Sequence, residues 1–143
     1  PFGLPLLKPP YRRITAIDLN TGDHVWQVPF GRGPIDHPRL KDLNLSPLGS
    51  VYDDVVAEGG ILVTKSLLVS FLAQKDEISP DAHGSILVAL NKKTGEIVGE
   101  VLVDQRLHGP LMSFMHNGKQ YIAVAGGGRE NDDELLVFAL PTD

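Results

Sequence analysis

Apolar and polar residues alternate at 13–19 and 24–29, and seven further short apolar-rich stretches bounded by turn signals follow, at 61–65, 67–72, 85–91, 96–103, 111–115, 119–125 and 134–140. Both patterns predict strands. No convincing helical spacing interrupts them, so no helix is expected. The turns between stretches are legible. Asn20, Thr21, Gly22 and Asp23 join the first two, with Gly22 free to take a positive φ. Asn117 and Gly118 form the strongest short hairpin signal in the chain. A tight turn separates 61–65 from 67–72, and a polar loop with Pro80 and Gly84 fills 73–84. The glycine-rich, charged stretch 126–133 reads as a loop before the last strand. Four prolines, Pro1, Pro5, Pro9 and Pro10, make residues 1–11 an extended opening segment. Residues 30–58 hold Gly31, Gly33, Pro34, Pro38, Pro47 and Gly49. A structureless connection of that length is uncommon, so it is expected to be functional or a decoration.

One motif occurs twice. Residues 14–28 read ITAIDLNTGDHVWQV and residues 87–101 read LVALNKKTGEIVGEV. Aligned on Thr21-Gly22 and Thr94-Gly95, both copies place Ala before the turn, at Ala16 and Ala89, and Asp or Asn two residues later, at Asp18 and Asn91. A repeat built of strand, Thr-Gly turn and strand belongs to a radial β-array. Labelling the four strands of a blade A to D from the axis outward gives the order C-D, A-B-C-D, A-B-C. The expectation is therefore an all-β chain: residues 1–29 a partial blade, 30–58 the long connection, 59–103 a complete blade and 104–143 a partial closing blade. Neighbouring strands should be antiparallel.

Composition narrows the classes of function. The 143 residues suffice for one domain with a real core. The net charge is −5 and no basic stripe is present, so nucleic acid is not an expected partner. No run of 18 apolar residues exists to span a membrane. The absence of cysteine excludes disulfides and thiolate metal sites. The first residue is Pro1. The expectation is a chain that starts inside a larger protein, with processing to a mature terminus as the alternative, so no targeting signal can be read.

The run from Ala16 through Asp18, Thr21 and Gly22 to Trp26 resembles the tryptophan-docking motif of eight-bladed quinoprotein propellers. Its physics is legible: Ala16 permits close approach, Asp18 can bond turn amides, Gly22 closes the turn, and Trp26 offers a flat face to bury. Trp26 is expected to be largely buried with Ala16 nearby. The second copy departs from the pattern, with Gly99 where Trp is expected. Further segments extend the resemblance: Leu6 through Lys8, Pro9, Pro10 and Tyr11; His37-Pro38 before Leu43-Asn44; Leu62 to Lys65; Asn117 through Tyr121 to Gly127; and Val137 to Pro141. Together they resemble the C-terminal third of pyrroloquinoline-quinone (PQQ)-dependent dehydrogenases of the membrane glucose dehydrogenase type. The fold so implied is a partial eight-bladed β-propeller, with about two to three four-stranded antiparallel blades here.

The resemblance implies a periplasmic oxidoreductase, and it leaves open attachment to the membrane through an N-terminal region outside this chain. It would oxidise a sugar or alcohol CH–OH group, passing electrons to PQQ, polarised by Ca²⁺ or Mg²⁺, and on to ubiquinone or a cytochrome. It also implies that the catalytic Asp and most cofactor and metal contacts come from earlier blades, so none is placed here. The remaining N-terminal blades would be this chain's partners, and the segment alone is not expected to be active. The rival reading is a non-catalytic propeller scaffold of the bacterial envelope that binds proteins, since fold does not fix function.

In a propeller the D–A and B–C loops open on one axial face. On the strand labels above, the active-site face should receive 30–58, 73–84, 104–110 and 126–133. Gly126, Gly127 and Gly128 are the candidate cofactor contacts, because backbone without side chains can approach a flat ring. The bland alternative is a loop that needs positive φ. Relatives with His after the Gly-Gly pair give no role to carry over, since Gly128 stands there. Arg129 could meet an anion but reads better as a solvated arginine, and His108 as a polar loop histidine rather than a base. Lys65 falls on the opposite face. His24, His37, His83 and His116 share no metal-ligand spacing. The stretch 131–134 and the pair Asp53-Asp54 lack the spaced oxygens of a Ca²⁺ loop. No Gly-rich phosphate loop opens a helix.

Overall fold

A computed structural model of the chain describes residues 4–49, 60–73, 84–128 and 131–139. Among the described residues nine strands form: β1 (Arg13–Ile17), β2 (His24–Pro29), β3 (Leu62–Val63), β4 (Leu67–Ala73), β5 (Ser85–Asn91), β6 (Ile97–Val103), β7 (Leu107–His116), β8 (Lys119–Gly128) and β9 (Asn131–Ala139). They make three antiparallel sheets, β1-β2, β3-β4-β5-β6 and β7-β8-β9. The only helical structure among the described residues is two 3₁₀ turns, Pro34–Asp36 and Lys41–Leu43. The all-β, antiparallel expectation holds.

The chain divides into two units. The first comprises Pro1–Asp53 with the turn Thr94–Glu96, and the second Asp54–Lys93 with Ile97–Asp143. In the first, β1 and β2 pair from Arg13↔Pro29 to Ala16↔Trp26, with a register irregularity after Ala16. Strand β1 stops short of the predicted residue 19 because the Asp18 carboxylate accepts the Asn20 backbone N–H at 2.8 Å and starts the turn. The connection after β2 folds back on its own start and on the segment before β1. Leu48 N–H donates to Arg32 O (2.9 Å), Gly49 N–H to Gly31 O (3.0 Å), and Tyr11 N–H to Leu48 O (2.8 Å). Gly49 has φ 81°, and a Cβ there would land on the Arg12 carbonyl oxygen. Only glycine lets the returning chain lie this close. The described part of the long connection, to residue 49, is thus bonded to its own unit.

The same unit holds Trp26, which is partly buried. Ala16 is its cross-strand partner. The ring lies against Gly95, where an added Cβ would sit 2.6 Å from Trp26 Cε3.

In the second unit β4 pairs with β5 along its whole length, Leu67↔Asn91 to Ala73↔Ser85, and β5 with β6 from Ser85↔Val103 to Leu90↔Ile97. Alternation projects Val69 and Phe71 of β4, Leu87 of β5 and Val103 of β6 into one core with Leu107, Leu111 and Val124 of the third sheet. Phe71 and Leu107 are fully buried. Burying side chains of this size contributes about 1.5–3 kcal/mol each. Strand β3 shrinks to two residues because Thr64 closes the turn: its Oγ1 accepts the Leu67 N–H at 2.9 Å. Ser85 is buried and its Oγ accepts the Leu107 N–H (2.9 Å), which ties the start of β7 to the start of β5.

The third sheet corrects the sequence reading. Strand β7 begins at Leu107, β8 runs through Gly128, and β9 begins at Asn131. Residues 126–128 and 131–133 are therefore strand and not loop. Gly126 pairs with Leu107 on one side and Glu134 on the other, and Gly128 pairs with Asn131. Partners on both flanks satisfy the backbone of a glycine run that its composition alone assigns to a loop. Most of 73–84, with His83, and also Asp53, Asp54, Arg129 and Leu140, lie outside the described residues.

Candidate functional site

The candidate glycines sit at the end of β8, away from the Asn117-Gly118 turn and beside the start of β7. This central strand is framed by β7 and β9. Gly127 donates its N–H to Arg106 O at 3.0 Å, and the pairing with β9 shifts register between Gly126 and Gly128. A β-bulge there re-aims the strand end. Gly127 has φ 144°, a backbone state that favours glycine. Gly126 is glycine for a different reason. A Cβ on it would come within 2.6 Å of Leu136 Cδ1 and 2.9 Å of Gln105 Oε1.

Four polar side chains gather at this end of the sheet. His108, half-buried on β7, places Nε2 3.4 Å from Oδ1 of the exposed Asp133 on β9. Gln105, just before β7, donates from Nε2 to Glu134 Oε2 at 3.0 Å, while its Oε1 is buried without a hydrogen-bond partner. Of these, His108 and the acidic stretch were visible as sequence candidates. Gln105 was not singled out, and only the partner it meets 29 residues later reveals it. Asp133 and Glu134 belong to the start of a strand and hold partners, where a solvated loop was expected.

The other candidates are dispersed. His24 is exposed on β2, His37 accepts the Arg39 N–H through Nδ1 (3.1 Å), and His116 Nε2 lies 3.2 Å from Asn117 Nδ2. Lys65 is exposed in the turn between β3 and β4. Among the described residues no group of three His, Cys, Asp or Glu is placed to hold a metal ion.

The glycine end of β8 offers backbone and not a set of side chains that could grip a ligand, and Gly126 and Gly127 are buried within the chain. Gly127 presents backbone alone at the bulge. The space beside Gly126 is already taken by Leu136 and Gln105. Asp133 and Glu134 are carboxylates, which repel an anionic ligand.

Several relatives match nearly the whole chain. It is 33% identical to a quinate/shikimate dehydrogenase (quinone) of Acinetobacter baylyi, covering 97% of this chain and 16% of that protein. It is 30% identical to the glycerol dehydrogenase large subunit of Gluconobacter oxydans, over 97% of the chain and 18% of the relative. It is 26% identical to the quinoprotein glucose dehydrogenase of Escherichia coli K12, over 100% of the chain and 17% of the relative. The chain thus spans less than a fifth of the length of the curated relatives it matches. No solved structure matches it. The family model described as PQQ, glucose/ethanol/alcohol dehydrogenase, beta-propeller domain, matches residues 1–122. With three open antiparallel sheets and that match over most of its length, the chain belongs to the PQQ β-propeller family and is part of a quinoprotein propeller.

Proposed function

We infer that the whole protein is a PQQ-dependent oxidoreductase that oxidises a CH–OH group of a sugar, polyol or other alcohol and passes the electrons to a quinone or cytochrome. The observation that carries this reading is the family match across 1–122, alongside relatives named as dehydrogenases of quinate, glycerol and glucose. PQQ supplies the two-electron acceptor chemistry when bound. A Ca²⁺ or Mg²⁺ ion beside it, and the periplasm as location, belong to the same reading.

This chain's own share is shape. On the blade labels C-D, A-B-C-D, A-B-C, the end of the third sheet that carries Gly126, Gly127 and Gly128 faces the cofactor. The backbone at Gly127 and Gly128 walls that side and excludes water, and neither the base nor the metal ligands lie here. The placement of Trp26 against Gly95 supports the tryptophan-docking reading of the first hairpin.

The test is dye reduction by the whole protein reconstituted with PQQ and Ca²⁺ or Mg²⁺, with glucose, glycerol, quinate and ethanol as substrates. Turnover of at least one is expected. Residues 1–143 alone should give none. A whole protein that binds no PQQ and reduces no dye would leave the scaffold reading in its place.

A further inference from the structure

Two side-chain bridges cross the central strand of the third sheet at its glycine end. Neighbouring strands lie about 4.8 Å apart, so β7 and β9 are separated by roughly 9.6 Å with β8 between them. Side chains from the two flanking strands can meet only where the middle strand carries little or nothing above its backbone. That is the case at Ala125, Gly126 and Gly127. Gln105 reaches Glu134 on one side, close enough to Gly126 that a Cβ there would stand 2.9 Å from Gln105 Oε1. His108 reaches Asp133 at 3.4 Å, from positions flanking Ala125 and the bulge at Gly127. Gln105 keeps its bond to Glu134 although its Oε1 is buried without a partner, which is a cost the contact must offset.

We propose that Gln105–Glu134 and His108–Asp133 form a clamp that fixes the glycine end of β8, making these four positioning residues for the wall of the cofactor site. Small residues at 126 and 127 are then required by the bridges as well as by any ligand. The register shift between Gly126 and Gly128 interrupts the pairing with β9, and the Gly127 N–H donates to Arg106 O at that point, so this stretch of the ladder is open to local fraying. That this end faces PQQ rests on the functional reading above; the clamp itself does not.

The experiment is hydrogen–deuterium exchange of the full chain, read on peptides covering 124–128 and 131–136. Exposed or half-exposed bridges have modest strength, so His108→Leu or Gln105→Leu should each speed exchange at residues 126–128 by about two- to fivefold. Pairing His108→Leu with Asp133→Leu should add nothing to the single change, and likewise Gln105→Leu with Glu134→Leu. Combining the two bridges should multiply the effects. His108→Gln and Glu134→Gln keep a donor and an acceptor and should restore protection. Unchanged exchange, within-bridge pairs that multiply, or Gln variants as fast as Leu variants would each overturn the clamp. A fluorescence titration of PQQ into the whole protein separates the two claims. Weaker binding in the Leu variants supports the wall. Faster exchange with unchanged PQQ affinity would leave a clamp but remove it from the cofactor site.

Discussion

The hairpins β1–β2 and β5–β6 share two side-chain bonds to turn amides. Asp18 Oδ1 accepts the Asn20 N–H (2.8 Å), as Asn91 Oδ1 accepts the Lys93 N–H (2.9 Å). Thr21 Oγ1 accepts the Asp23 N–H (3.2 Å), as Thr94 Oγ1 accepts the Glu96 N–H (3.3 Å). Gly22 and Gly95 have φ of 79° and 76°. The register agrees too, with Ala16↔Trp26 in one and Ala89↔Gly99 in the other, and an irregularity after each alanine. Their surroundings do not agree. Gly22 is exposed, and a Cβ there would meet nothing within 4 Å. Gly95 is buried, with the Trp26 ring 2.6 Å from the position of its missing Cβ. Six or seven residues suffice to build the turn. What the glycine of that turn is worth depends on what comes to rest against it.

The sharpest way to break this comparison is to add one methyl to each glycine. Gly95→Ala incurs both left-handed strain and a clash with the indole, and should destabilise the folded protein by about 3 kcal/mol. Gly22→Ala incurs only the strain, about 1 kcal/mol. Urea unfolding of the two variants would show the gap, and equal losses would mean the ring does not hold its place on Gly95. Trp26→Ala comes next. It removes a half-buried aromatic and should cost about 2 kcal/mol, below the range for full burial. In that background Gly95→Ala should fall to the cost of Gly22→Ala, a coupling read from a double-mutant cycle.

Smaller effects test the shared part. Asp18→Ala and Asn91→Ala each delete one side chain that accepts a turn amide, and each should cost about 0.5–1 kcal/mol. Thermal melts should give the two the same shift within error. A large difference would show that the turns are not equivalent even locally. The smallest effect concerns the missing tryptophan. Gly99 lies in β6, exposed, with nothing within 4 Å of an added Cβ. Gly99→Ala should stabilise by about 0.5 kcal/mol by restricting the unfolded chain. Loss of stability there would reveal a neighbour that the open space does not show.

The sequence by itself determined where the strands and turns lie. Strand β2 matched its predicted bounds of 24–29, β5 its bounds of 85–91, and the Asn117-Gly118 and Thr-Gly turns fell where their residues placed them. Period-two alternation and a side chain bonding an amide two residues on are short-range causes, complete within a few residues. The sequence also singled out the glycines at 126–128 and His108 by residue type alone. Tertiary structure alone decided what those residues do. Glycines at 126–128 look like a loop until Leu107 on one flank and Glu134 on the other pair with Gly126. The tie between Gln105 and Glu134 has no local signature, because it exists only when β8 brings strands from either side of it within reach. The difference between Gly22 and Gly95 is likewise absent from their shared motif. It is made by Trp26, a residue far away in sequence whose resting place depends on close packing, and close packing is a property of the folded chain and not of any segment.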